Sequence, residues 1–427
     1  MRKNTVQRFL SLITLGAALA MPSAAQFDSG STGVDGPLDI QTNTVLPVQE
    51  DGVHHYTTIN VANGATLSFS PNSLNTPVIF LASGDVTIDG TVNLNGQTGR
   101  LWNDPQGALP GSEAQPGPGG YPGGIGAGEV IGVHSFGTSG GGPGGGAAAN
   151  ELSLPPSGRG TSGNGGSHFT AGDQASGNPN GPAPTYGDSR LLTLSGGSGG
   201  GGGNFYVTSD SNGHGYGGGA GGGAILIASS GTITVNGTIT AKGGDGHWYV
   251  LTNGGGTDGS GGGAGGAIRL MANSITGTGS LSATGGASVA AKGGDGLTRL
   301  EALSITGTIA ANSNPTPMTS SPTVVQLDPA DVPTVRITTI NGIPVPEPPS
   351  GSTTSPDVVI PGTATNPIAI GLETANVPDG AVVNLRLILE NGDTLEVASS
   401  AVSSDAATAS VDLPSGVGVI YATVDFP

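Results

Sequence analysis

The chain contains no cysteine, so neither a disulfide framework nor a thiolate metal site can hold it together. Aromatic residues are scarce at 4%, and charged residues reach only 10%. Stability must therefore come from hydrogen-bonded strands and aliphatic packing. Dense charge, the usual mark of disorder, is absent. Cations are the rarest charge: 12 Lys and Arg stand against 30 Asp and Glu, for a net charge of −18. That balance argues against nucleic acid and anionic membrane as partners, and it suits a soluble surface protein or one that binds divalent cations. No segment after Gln26 is continuously apolar for the ~20 residues that a membrane-spanning helix needs, so no transmembrane segment is expected.

The first residues read as a secretory signal peptide, 1–25. Arg2, Lys3 and Arg8 make a basic start, Phe9 to Met21 is apolar, and Pro22-Ser23-Ala24-Ala25 offers small residues for cleavage after Ala25. The leader holds three of the 12 cations and none of the acids, which leaves nine cations in the mature chain. Export without cysteine points to a bacterial envelope or extracellular space.

Glycine is what the chain has in excess, with 81 residues. Strict Gly-X-Y periodicity fails, which removes a collagen triple helix. An internal repeat is present instead. Val86-Thr-Ile88-Asp-Gly90-Thr-Val92, Ile233-Thr-Val235-Asn-Gly237-Thr-Ile239 and Ile275-Thr-Gly277-Thr-Gly279-Ser-Leu281 align, with a shortened Ile305-Thr-Gly307-Thr-Ile309. A short apolar strand lies upstream of each: Val78-Ile79-Phe80-Leu81, Ile225-Leu226-Ile227, Ile268-Arg269-Leu270 and Thr298-Arg299-Leu300. Apolar residues alternate with Thr, Ser or Asn, so one face turns inward and a polar face outward. Units of strand, turn, strand, Gly corner and strand that stack on their neighbours predict a right-handed parallel β-helix over residues 26–312. Val53–Phe69, with its Asn63-Gly64 turn, is expected to be the first coil and to cover the open end.

Val92 and Ile239 lie 147 residues apart, so a glycine-rich insertion, 97–223, separates the first two clear rungs. Its Gly/Ser composition is that of a flexible loop, which is the leading expectation, with a mixture that is ordered near the rungs and mobile at the tips as the alternative. Gly117, Gly120, Gly123 and Gly126 keep the three-residue period of packed polyproline-type chains, but the period does not persist. A Pro-rich linker, 313–333, precedes a run of short strands. These predict a small antiparallel β-sandwich over 334–427, with Asn391-Gly392 as its clearest hairpin turn.

The repeated Gly-Gly-Gly-Ala-Ile-Leu-Ile-Ala and Gly-Thr-Ile-Thr-Val-Asn-Gly-Thr-Ile resemble those of secreted, glycine-rich, pectin-lyase-like β-helix proteins of Gram-negative bacteria. The resemblance covers most of Phe27 to Asn312. It implies the fold more than the function, because that superfamily includes polysaccharide lyases, glycosidases, adhesins and surface proteins. Hydrolases on this fold use clustered Asp and a Gly-His-Gly segment. Gly213-His214-Gly215 matches the latter, but no adjacent Asp pair occurs. A lyase needs a cationic base near acidic calcium ligands. Arg269 and Arg299 are the candidates, and stacked pairing with Glu301 is the plainer account of both.

Ala-Lys-Gly-Gly-Asp-Gly occurs twice, at 241–246 and 291–296, and makes Asp245 and Asp295 the candidate calcium ligands. Two copies fifty residues apart fall short of a tandem calcium array, and loop exits explain them without metal. His54-His55 alternates faces and is expected to be an exposed pair. Thr234, Thr238, Thr240, Thr276, Thr278 and Ser282 form outward hydroxyl rows suited to ice or sugar chains, although Thr is also an ordinary strand residue. The sequence thus points to a secreted or cell-surface structural or adhesive protein, with polysaccharide as the candidate ligand and no evident catalytic site. An extracellular polysaccharide lyase or glycoside hydrolase is the alternative.

Overall fold

The computed structural model describes residues 26–100, 113–127, 129–130, 133–134, 137–149, 162–203, 215–250, 257–323, 325, 333–347, 349, 356–389 and 394–424. The leader, His214 and the Asn391-Gly392 turn lie outside them. The described chain is all β, without a helix, and is dominated by two parallel sheets.

Alternating aliphatic and β-branched polar residues favour extended backbone, with one side chain row buried and the next outward. They form β1 (Leu38–Ile40), β2 (Thr44–Pro47), β3 (Val53–Tyr56), β4 (Ile59–Val61), β5 (Thr66–Ser70), β6 (Val78–Ala82), β7 (Val86–Ile88) and β8 (Thr91–Asn93). An antiparallel pair follows, β9 (Glu129–Val130) and β10 (Val133–His134). The parallel set resumes with β11 (Ala224–Val235) and β12 (Thr238–Thr240). A second antiparallel pair is β13 (Trp248–Val250) and β14 (Thr257–Gly259). Then come β15 (Ala267–Thr276), β16 (Ser280–Ser282), β17 (Leu297–Ile305) and β18 (Met318–Ser320).

The first parallel sheet runs β1-β4-β7-β11-β15-β17-β18, with β6 also against β11 and β3 against β6. The second runs β2-β5-β8-β12-β16. Val86, Ile233, Ile275 and Ile305 stand in one column of the first sheet, and Leu67, Val92, Ile239 and Leu281 in one column of the second. Both columns belong to one apolar cluster, and Val92 is the register partner of Ile239 on the adjacent strand although the two are 147 residues apart in sequence. Each such aliphatic side chain contributes roughly 1.5–3 kcal/mol on burial.

Three expectations need correction here. β1 and β2 precede Val53–Phe69, so that stretch is the second layer; strands of three and four residues flanked by Pro37 and Pro47 carry too little periodicity to be read. The fourth repeat does not complete its last strand. Ile309 sits in a turn, although its side chain is fully buried in the core.

The third correction is the largest, because the described part of the insertion is not loop. Gly215, Gly218, Gly221 and Ala224 donate backbone hydrogen bonds of 2.7–2.8 Å to the carbonyls of Ala127, Gly124, Tyr121 and Pro118. Gly197, Gly200 and Gly203 donate to Gly222, Gly219 and Tyr216 at 2.8–2.9 Å. Tyr121, Gly124 and Ala127 donate to Gly197, Gly200 and Gly203 at 2.9–3.1 Å. Three extended segments therefore bond to one another at every third residue, the turn of a polyproline-type chain. Further segments at 241–247 and 259–267 join them, as in Gly219 to Gly261 and Gly263 to Gly244, both 2.9 Å. Glycines at these bonds lack a side chain because the next backbone occupies its place. A Cβ on Gly221 would overlap the carbonyl oxygen of Gly197, and one on Gly218 that of Gly200.

The C-terminal part holds β19 (Thr334–Ile340), β20 (Ile343–Pro344), β21 (Ile368–Ala375), β22 (Val382–Leu389), β23 (Thr394–Ala401), β24 (Ala406–Val411) and β25 (Gly418–Val424). They form antiparallel sheets β20-β19-β21-β24 and β23-β22-β25. Ile370 and Leu372 from one sheet and Val383, Leu385 and Leu387 from the other share a single core.

Gly221→Ala should destabilise the protein by roughly 3 kcal/mol, since the obstacle is backbone and cannot rotate away. Gly181→Ala, in the same insertion but with open space around it, should leave the thermal midpoint within a degree or two of wild type, a difference that calorimetry resolves.

Candidate functional site

The strand register arranges the outward residues into columns. On the second parallel sheet, Thr66, Thr91, Thr238 and Ser280 form one column, and Ser68, Asn93, Thr240 and Ser282 the next. On the first, Asn60, Thr87, Thr234 and Thr276 align, with Asp39 beside Asn60. Thr306 extends that column by donating its Oγ1–H to Thr276 Oγ1 at 3.0 Å. Thr232, Ser274 and Ser304 make a parallel column two residues away. Neighbouring strands lie about 4.8 Å apart, and alternate residues of a strand about 6.7 Å apart, so each face carries its polar residues in ordered columns. Its members are half-buried to exposed, except Thr240, which is buried with Oγ1–H on Asn95 Oδ1 at 2.7 Å. Thr278 is exposed at the corner between the sheets.

The upstream halves of the same strands face a different environment. Leu81, Leu226, Ala228 and Met271 are covered by Phe27, Leu194 and Val325. There Arg269 and Arg299 are register partners, and both Nε atoms reach one carboxylate oxygen of Glu301, at 2.9 and 2.7 Å. Glu301 is fully buried and Arg269 nearly so. Burial alone would raise the Glu301 pKa, but the two guanidiniums outweigh it and hold the carboxyl below its ordinary value. Arg269 also donates to Leu191 O at 3.2 Å, and Arg299 to Ser189 O at 3.3 Å and Ser320 Oγ at 2.8 Å. The ladder pins the returning insertion and the strand-to-linker segment to the sheet. Neither cation is left free as a base.

Asp245 and Asp295 are brought to one glycine segment. Asp245 Oδ1 accepts from the Ala287 amide at 2.7 Å, and Asp295 Oδ1 from the Gly285 amide at 2.9 Å, with Lys292 Nζ at 3.7 Å. Each carboxylate thus ties one glycine chain to the next. No group of three or more His, Cys, Asp or Glu side chains among the described residues could hold a metal ion. Nor is any described helix long and apolar enough to cross a membrane.

His54 departs from the expected exposed pair. It is buried, stacked on Tyr56 at 5.8 Å and edge-on to Phe80 at 5.4 Å, with Nε2 unpartnered. Its strand lies at the N-terminal end of the core, where this aromatic group fills space. His55 is half-buried and accepts at Nδ1 from the Thr32 amide at 3.2 Å.

A second polar cluster joins the glycine segments to the C-terminal sheets, and the sequence reading passed over it. His168 is buried, its Nδ1–H donating to Gly265 O at 2.8 Å and its ring 4.8 Å from Tyr186. Tyr186 donates to Gly196 O at 2.7 Å and accepts from Ser198 Oγ at 2.9 Å. Burial pushes His168 down to about 4, against the opposing pull of the Gly265 and Gly266 carbonyls, and pushes Tyr421 up to about 12. Arg386, on the face of β22 turned from its own core, donates to Pro143 O at 2.5 Å and Gly145 O at 3.1 Å. Tyr421, its register partner on β25, meets Tyr121 edge-on at 5.9 Å. A lone Arg inside Val382-Val-Asn-Leu-Arg-Leu-Ile-Leu was the available signal. Beside this junction opens a cleft of about 1660 Å³, lined by Glu113, Tyr121 and Ile125 on one side and Arg336, Glu373 and Ile388 on the other. Arg336 is bracketed there by Glu347 and Glu373.

Comparison of the chain with family models, with curated proteins and with solved structures found no match to it.

Glu301→Ala would leave two guanidiniums side by side without their carboxylate and should cost about 3–5 kcal/mol, read as a fall in thermal midpoint. His168 generates a pH dependence. Its folded pKa lies below the unfolded value near 6.5, so its contribution is complete above pH 6.5 and lost as the pH falls toward 4. Melts across that window should show a loss of about 3 kcal/mol, and His168→Gln should flatten it.

Proposed function

We propose that this protein is an exported structural and adhesive protein of the bacterial cell surface or extracellular space, which holds polysaccharide without turning it over. In this reading the two parallel sheets are walls of a right-handed parallel β-helix of the pectin-lyase-like kind. The glycine segments close its remaining side, and the C-terminal sheets form a β-sandwich seated on them. Residues 1–25 serve as the leader.

One observation carries the reading: the outward columns of Thr, Ser and Asn on both parallel sheets, held in register by a buried core. Such rows offer many hydroxyls at fixed spacing, and weak contacts made together give avidity. Chemistry on a glycosidic bond needs two carboxylates about it, or a free base beside acidic ligands. Arg269 and Arg299 are instead committed to Glu301, and Asp245 and Asp295 to backbone amides.

The mature chain should be incubated with a panel of polysaccharides, with and without calcium, and both co-sedimentation and product release measured. Retention on at least one polysaccharide with no new unsaturated or reducing ends is the expected result. Unsaturated or reducing-end products would overturn it in favour of a lyase or hydrolase.

A further inference from the structure

Resting on that reading, we infer that the columned faces bind the packed surface of an insoluble, ordered polysaccharide rather than single chains in solution. Strands about 4.8 Å apart and paired outward columns about 6.7 Å apart give each face a regular polar pattern, from which Thr240 alone is withdrawn. A column of four rungs spans about 14 Å, and it lies on the outer face of a sheet. A single dissolved chain touches such a face along one line only.

The residue types point the same way. No aromatic or cationic side chain stands in these columns, so neither ring stacking nor positive charge is offered to a lone sugar chain. What remains are hydroxyl and amide contacts, and each contributes little because water competes for the same bond. A flexible ligand would lose conformational freedom to meet several of them at once. A solid whose hydroxyls are already fixed loses none, and many weak contacts then add along the lattice.

The array is also prepared on the protein side. The hydroxyls of Thr66, Ser68, Thr87, Thr91, Thr234 and Ser282 make no side-chain hydrogen bond within the described residues, so they remain available to a ligand. Threonine is stiff at χ1, and its backbone is fixed by ladders on both sides, so ordering costs little. The matching rungs come from segments as far apart as Thr87 and Thr234, and the pattern recurs on both sheets.

The test compares one glycan in insoluble and soluble forms, using the whole mature protein. Wild type should co-sediment with the insoluble form and resist competition by the soluble form. The variant Thr91→Val/Thr238→Val/Ser280→Ala removes one column's hydroxyls while keeping its shape. It should bind about tenfold more weakly at an unchanged thermal midpoint. If that variant misfolds, Thr234→Val on the other sheet provides a second reading, with a smaller loss expected. Equal competition by soluble chains would overturn this inference and leave the adhesive reading standing. Failure to retain any glycan in either form would sink both. Valine variants that bind as wild type would remove the columns as the site. Shaping of growing ice crystals, abolished in the column variant, would assign the lattice to ice and overturn the polysaccharide ligand.

Discussion

The rest of the molecule depends on how closely glycine allows two backbones to approach. Segments of the insertion bond to each other through amide and carbonyl at every third residue, with no side chain between them. Each amide so bonded is satisfied without a sheet ladder, which is how a long polar backbone can be buried at all. The same contacts explain why two rungs 147 residues apart sit as neighbours. The described part of the intervening chain packs on itself, and the sheets resume at Ala224, where β11 begins beside β6 and β7. Side chains are excluded from the segment interiors by geometry, so composition there follows from packing.

With so few charges in the chain, the buried ones act as fasteners. Glu301 binds two arginines that in turn reach the carbonyls of Ser189 and Leu191. Arg386 reaches the carbonyls of Pro143 and Gly145 from the C-terminal sheets. In both places a guanidinium satisfies backbone oxygens that glycine-rich chains present in excess, and its fork sets direction as well as energy. Buried ion pairs add little net stability over apolar packing, so their value here lies in which segment docks where. Asp245 and Asp295 do the smaller version of this work, one carboxylate oxygen to one amide.

The parallel sheets divide their outer faces accordingly. Upstream halves of the long strands carry Leu226, Met271 and Arg269, and the N-terminal segment and the insertion cover them. Downstream halves carry threonine and serine, and stay open to solvent in register. Rigidity from the inner aliphatic column and availability on the outer polar column arise from one alternation. The proposed adhesive role requires no moving part in such a face.

Much of this was legible residue by residue. The alternation in Val86–Val92, Ile233–Ile239 and Ile275–Leu281 determined strands and their inward face, because a period of two leaves one way to bury the aliphatic row, and the alignment of the repeats matched their mutual register. The outward hydroxyls followed from the same count, as did the strands of the C-terminal part. Glycine content alone did not decide between loop and packed chain, since the same composition serves both and the bonding partners are remote in sequence. His54 looked exposed because its burial depends on Phe80, on a neighbouring strand. Arg386 was silent until the insertion lay across its sheet. Local pattern, in short, determined which residues turn inward along each strand. Only the tertiary structure decided which glycine segments touch, because backbone-to-backbone contact leaves no side-chain signature to read.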